Sequence, residues 1–220
     1  MIPSLCISLV GEPKSGKTHF AMTFPDPICL FSFDIGAKFV RTKFPDKEID
    51  IRTYPIPIIE SAHPKPYAEE FYHQIKEDYT EVTSSGAYKT VVIDTGTALW
   101  EIVRHAYTEE KNRKQILRVE YAEPNARMSW FLMQPMVLGV NVVATHYLKD
   151  RYVNDANTGE KVLMGFAQTN GIADIIISLD MPLQEVNGVI VKSRFDRTLN
   201  GFKTTDPTYD DIIQLHGWED

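Results

Sequence analysis

Short apolar blocks recur along the chain, each followed by a polar or helix-patterned stretch. Leu5–Val10, Ile28–Phe33, Ile49–Tyr54, Thr90–Asp94, Val140–Thr145 and Ile175–Leu179 read as strands, most too uniformly apolar to leave a wet face. Thr18–Met22 reads as the first turns of a helix. Tyr67–Val82 places Phe71, Ile75 and Tyr79 at fourfold spacing, an amphipathic helix broken by Ser84-Ser85-Gly86. Ala98 to about Leu117 reads as a long helix, and Asn125–Leu138 as another, bent or ended early by Pro135. Pro55, Pro57, Pro64 and Pro66 mark an extended connection. Two turn signals remain. Asn157-Thr158-Gly159 marks a hairpin tip or loop inside the polar stretch Lys149–Lys161, and Asn187-Gly188 joins Leu183–Val186 to Val189–Lys192 as a hairpin. The alternation predicts an α/β fold: a mostly parallel sheet with helices on both faces and an antiparallel hairpin added at one edge, residues 1–220 forming one domain.

Composition narrows the class. At 220 residues with 43% hydrophobic and 24% charged residues, the chain has the makings of an ordinary globule with a full core. No apolar stretch approaches the ~18 residues of a membrane span, and no signal segment opens the chain, so a cytoplasmic protein without a membrane partner is expected. Cys6 and Cys29 sit in strand-like apolar runs and read as buried thiols in a reducing compartment, not as a disulfide or metal site. A net charge of −7 excludes bulk basic binding of nucleic acid, so any DNA contact must be local, assembled across subunits or helped by a partner.

The chemistry enters at Gly11-Glu12-Pro13-Lys14-Ser15-Gly16-Lys17-Thr18, which spells G-x-x-x-x-G-K-[ST] between an apolar strand and a helix that continues with His19. Glycines in such a turn let backbone N–H groups face phosphate, and the helix N-terminus adds positive potential. Lys17 is expected to reach the β- and γ-phosphates of ATP, and the Thr18 hydroxyl to bind Mg²⁺. Asp94 ends an apolar strand, so it should emerge at the sheet edge where ligands bind and hold Mg²⁺ through water; it also suits a helix N-cap. Asp34 ends another strand and is a candidate to orient or deprotonate the attacking water, or a turn residue before Gly36. His146, or the Thr145 hydroxyl before it, is placed to touch the γ-phosphate. Lys192 and Arg194 alternate along a late strand and so share a face, as surface charge or as cations reaching a neighbour's phosphate.

Together these stretches resemble the RecA-type ATPase core, and most closely the small phage nucleotide-binding proteins grouped with the single-strand-annealing recombinases. The likeness runs through Gly11–Thr18, Phe31–Ala37, Tyr88–Thr95, Gly139–His146 and Val191–Arg194. It implies an ATPase in which the acidic residue after the second strand is the base (Asp34 here), His146 senses the γ-phosphate, and Lys192 and Arg194 act across a subunit interface in a homo-oligomer. It also implies that single-stranded DNA binds around residues 147–171, where Lys149, Arg151, Tyr152 and Lys161 lie among Asp150, Asp155 and Glu160. A single-strand-binding protein is a possible further partner. Three other readings compete. A nucleotide or small-molecule kinase is disfavoured because Asp150-Arg151-Tyr152 leads into a turn, not a helix, and no arginine-rich lid follows. A GTP switch lacks N-K-x-D. A packaging or replication motor uses the same core.

Overall fold

The structure, a computed structural model, describes residues 2–34, 36–54, 67–182 and 185–218. β1 (Cys6–Val10) opens into α1 (Lys17–Ala21), β2 (Ile28–Ser32) into the short α2 (Ala37–Arg41), and β3 (Ile49–Thr53) precedes α3 (Ala68–Ser84). β4 (Thr90–Asp94) leads to α4 (Gly96–Glu110) and α5 (Ala122–Val137). β5 (Asn141–His146) is followed by β6 (Leu148–Val153), β7 (Ala156–Leu163) and α6 (Thr169–Ile172). β8 (Ile175–Asp180), β9 (Asn187–Ser193), β10 (Lys203–Thr205) and α7 (Tyr209–Leu215) complete the described chain.

The eight-stranded sheet runs β10-β9-β8-β1-β5-β4-β2-β3. From β8 to β3 every pairing is parallel, while β9 and β10 add antiparallel partners at one edge. β6 and β7 form a separate hairpin. The expected α/β architecture is what the chain adopts.

Alternation along the strands divides the core in two. Cys6, Cys29, Phe31, Val91, Ile93 and Val142 face one side, where α3, α4 and α5 supply Tyr72, Ile75, Tyr79, Val103 and Phe131. Ile7, Leu9, Leu30, Val92 and Val143 face the other, covered by Phe20 of α1 and Ile212 of α7. Strands buried on both faces must be apolar throughout, which is why these runs were so legible.

Four expectations shift. α4 ends at Glu110 rather than near Leu117, because Asn112 turns left-handed (φ 50) and stops the helix. α5 passes through Pro135 and ends only at Val137. The carbonyl that Pro135 leaves without a helical donor, that of Phe131, accepts the Tyr79 hydroxyl at 2.5 Å. Asn187-Gly188 is not a turn. It opens β9, with Asn187 paired to Asp180 and Thr205, and pairing on both sides overrides the local turn preference. Glycine is still required at 188, where a Cβ would stand 2.8 Å from the Pro207 ring. The β6–β7 hairpin turns at Asn154 and Asp155 (φ 51 and 62), leaving Asn157-Thr158-Gly159 inside β7. The proline-rich connection and Leu183 lie outside the described residues. Among the described residues no helix is long and apolar enough to cross a membrane.

Candidate functional site

The ends of β1, β2, β4 and β5 meet at one sheet edge because β5 lies between β1 and β4. There a cleft of about 750 Å³ is lined by residues 13–19 together with Asp34, Asp94 and Tyr147. A second cleft, of about 600 Å³, lies against α7 and Trp218; none of the predicted site residues lines it.

The loop after β1 is held by its own backbone. Gly16 adopts φ 91 at the start of α1, and Lys14 is also left-handed at φ 66. Gly11 allows close packing: a Cβ there would stand 2.3 Å from the Leu179 carbonyl. The Gly11 N–H donates to the His146 carbonyl at 3.3 Å, tying the loop to β5. Inside the loop, Lys17 Nζ donates to the carbonyls of Gly11 (2.9 Å) and Glu12 (2.6 Å) and to Ser15 Oγ (3.3 Å). It also stands 5.1 Å from the centre of the Tyr147 ring. Burial lowers the Lys17 pKa, against the pull of Asp94, Glu12 and Asp34.

Asp94 is the other pole. It is 3% exposed, and both carboxylate oxygens are engaged. Oδ2 accepts the Thr18 hydroxyl at 2.8 Å, and Oδ1 accepts the Thr145 hydroxyl at 2.5 Å. Burial raises its pKa, the two hydroxyls and Lys17 lower it, and Asp34 raises it. The helix cap that Asp94 also suited falls instead to Thr95, whose side chain accepts from the Ala98 N–H.

Thr18 and Asp94 suit Mg²⁺ in chemistry and reach: a hydroxyl and a carboxylate, both hard oxygen donors, already in contact. No group of three or more metal-binding side chains occurs among the described residues. A cation here would therefore take its other ligands from phosphate and water, as Mg²⁺ does. When bound, the ion supplies positive charge to the phosphate oxygens.

The remaining candidates divide. Asp34 lines the cleft, and its Oδ1 accepts the Gly36 N–H at 2.8 Å, the contact of a turn residue. His146 does not line the cleft. Its ring is fully buried against Gly96, with no hydrogen-bond partner for either nitrogen, and Thr145 and Tyr147 hold the positions facing Asp94 and Lys17. Lys192 and Arg194 share a face as expected, but at the opposite sheet edge. Lys192 Nζ donates to the Asn170 carbonyl at 2.7 Å. Arg194 donates to the Gly171 and Ile172 carbonyls and pairs with Asp174 at 2.9 Å. In the hairpin, Arg151 pairs with Glu160, and Lys161 pairs with both Asp150 (3.0 Å) and Glu12 (3.2 Å). Lys149 enters no ion pair among the described residues.

Tyr147 was missed except as one end of a loop range; its place directly after a sheet-edge residue was the available signal. Val186, Asp206 and Pro207, which also line the cleft, carried no local signal at all.

A parallel sheet whose first strand opens into a glycine-bounded lysine loop, facing a carboxylate from a non-adjacent strand, defines a P-loop NTPase. The chain belongs to the AAA domain family, whose model matches residues 4–204. That membership indicates nucleotide binding and ATPase activity. No curated protein matches the chain.

Proposed function

We propose that this protein binds and hydrolyses ATP with Mg²⁺ and acts on single-stranded DNA in homologous recombination or strand annealing of the phage type. The convergence of Lys17, Thr18 and Asp94 on one cleft carries the nucleotide half of this reading. Lys17 binds the terminal phosphates, exchanging loop carbonyls for phosphate oxygens. Thr18 and Asp94 would hold the ion, with Thr145 fixing the carboxylate, and Asp34 would orient the attacking water.

The DNA half rests on the resemblance and on the β6–β7 hairpin, which leaves the same sheet edge directly after Tyr147 and is tied to the loop by Lys161 and Glu12. Exposed Tyr152 offers a stacking surface, and Lys149 a cation. Most hairpin cations are neutralised within the chain, so affinity for DNA is expected to depend on several copies acting together.

The test is ATP turnover with Mg²⁺, with and without single-stranded oligonucleotide, alongside light scattering for assembly. Stimulation by DNA with oligomer formation is expected, and Lys17→Ala should abolish binding. Turnover insensitive to DNA in a persistent monomer removes the DNA role and leaves the ATPase reading intact.

A further inference from the structure

Beyond the phosphate loop, further lining residues of the cleft group by chain position: Val40 and Lys43 after β2, and Val186, Asp206 and Pro207 around β9 and β10. The second group is stapled from both directions: the Asp206 N–H donates to the Val186 carbonyl at 2.7 Å, and the Val186 N–H donates to Asp206 Oδ1 at 2.9 Å. It also rests on the loop, since a Cβ on Gly16 would stand 2.8 Å from Val186 Cγ2. The carboxylate at 206 is thus tied to Val186, the residue that packs on Gly16 at the start of α1. His19 of α1 lies within the field of both charged groups; Lys43 lowers its pKa and Asp206 raises it, while burial, the largest effect, lowers it.

Val40, Val186 and Pro207 are apolar and suit the faces of a nucleobase, leaving Lys43 and Asp206 for its polar edge. Asp206 Oδ1 is engaged by the Val186 N–H, which leaves Oδ2 the freer acceptor for a ligand. One acceptor and one donor match the neighbouring amine and ring nitrogen of a 6-aminopurine. Guanine presents two adjacent donors, which call for both oxygens of a carboxylate.

We propose that Asp206 reads the 6-amino group of adenine and so selects ATP over other purine triphosphates. The proposal rests on the nucleotide reading above and adds the residue that sets base choice. Asp206 lies beyond the span matched by the family model, which ends at residue 204.

The experiment is calorimetric titration of the full chain, with Mg²⁺, using ATP, inosine triphosphate and 2-aminopurine riboside triphosphate. Wild type should prefer ATP by about tenfold or more, because a site built to bond an amine penalises its loss or relocation. Asp206→Asn keeps an oxygen for the Val186 N–H but turns the free acceptor into a donor. Its preference should shrink to within about threefold, at an unchanged melting temperature. Equal binding of the three nucleotides by wild type, or full preference retained in Asp206→Asn, overturns the base assignment. If Lys17→Ala still abolishes binding in that case, the phosphate site stands. No heat with any triphosphate overturns both.

Discussion

The Thr145 hydroxyl donates to Asp94 Oδ1 at 2.5 Å, while Thr18 holds the other oxygen of the same buried carboxylate. Strand order makes this possible. β5 lies between the strand that feeds the loop and the strand that ends in Asp94, so its last residues face both. Thr145 thereby fixes the orientation of the carboxylate proposed to hold the ion.

Thr145→Val preserves shape and removes the donor. It is expected to cost about 1–3 kcal/mol of stability, since a buried carboxylate loses one of its two hydroxyl partners. It should also raise the Asp94 pKa further and weaken Mg²⁺ dependence. Urea unfolding and a Mg²⁺ titration of turnover check the two effects separately. A variant with wild-type stability and an unchanged Mg²⁺ midpoint would remove this positioning role.

The Tyr79 hydroxyl and Pro135 are linked through the Phe131 carbonyl. Tyr79→Phe strands that buried acceptor and should cost about 1–3 kcal/mol. Pro135→Ala supplies a helical N–H to the same carbonyl, so the double variant should lose less than the sum of the two singles. Strict additivity in denaturant unfolding would count against the coupling.

These two relationships differ in how visible they were beforehand. Asp94 could be placed at the sheet edge from Thr90–Ile93 alone, because an apolar run buried on both faces announces its own length and end. The loop was legible for the same reason: strand, glycine turn and helix are contiguous. Strand order is not a local property. Nothing near Val186 or Asp206 says that β8 lies beside β1, which is what brings Val186 over Gly16. α2 was invisible because it buries only Ala37 and so shows no periodicity. Asn187-Gly188 misled because pairing with two strands outweighs a two-residue turn preference. Tyr79 and Pro135 gave separate signals, but their shared carbonyl appears only once α3 packs on α5.

His146 makes acid stability measurable. Burial, with Lys17 adding to it, pulls its pKa from 6.5 down to about 3. Below pH 6.5 the unfolded chain takes up a proton that the folded one refuses, so stability falls as pH drops and continues to fall until about pH 3. By pH 5 the loss from this residue is about 2 kcal/mol. Asp94 works in the opposite sense above pH 3.8, because its raised pKa lets the folded state hold a proton more readily. Comparing the pH slope of wild type with that of His146→Gln isolates the histidine. The variant should be flatter between pH 7 and 5, and equal slopes would show that the imidazole is not held neutral.

Arg194 separates a structural role from a role across an interface. It starts from the end of β9 furthest from its own cleft, where its backbone N–H bonds the Asp174 carbonyl and its guanidinium pairs with the Asp174 carboxylate. That placement keeps it away from the cleft of its own chain. Asp174 is buried and also accepts the Cys6 N–H, but Arg194 is about half exposed, so solvent screens the pair. Arg194→Ala should therefore cost about 1 kcal/mol of stability. If Arg194 also reaches a neighbour's phosphates, the variant should bind ATP normally yet show at least about tenfold slower turnover in the assembled state alone. Dilution below the assembly threshold should then erase the difference from wild type. A variant that is only less stable, with full turnover per assembled subunit, assigns Arg194 to the fold and leaves the interface role without a residue.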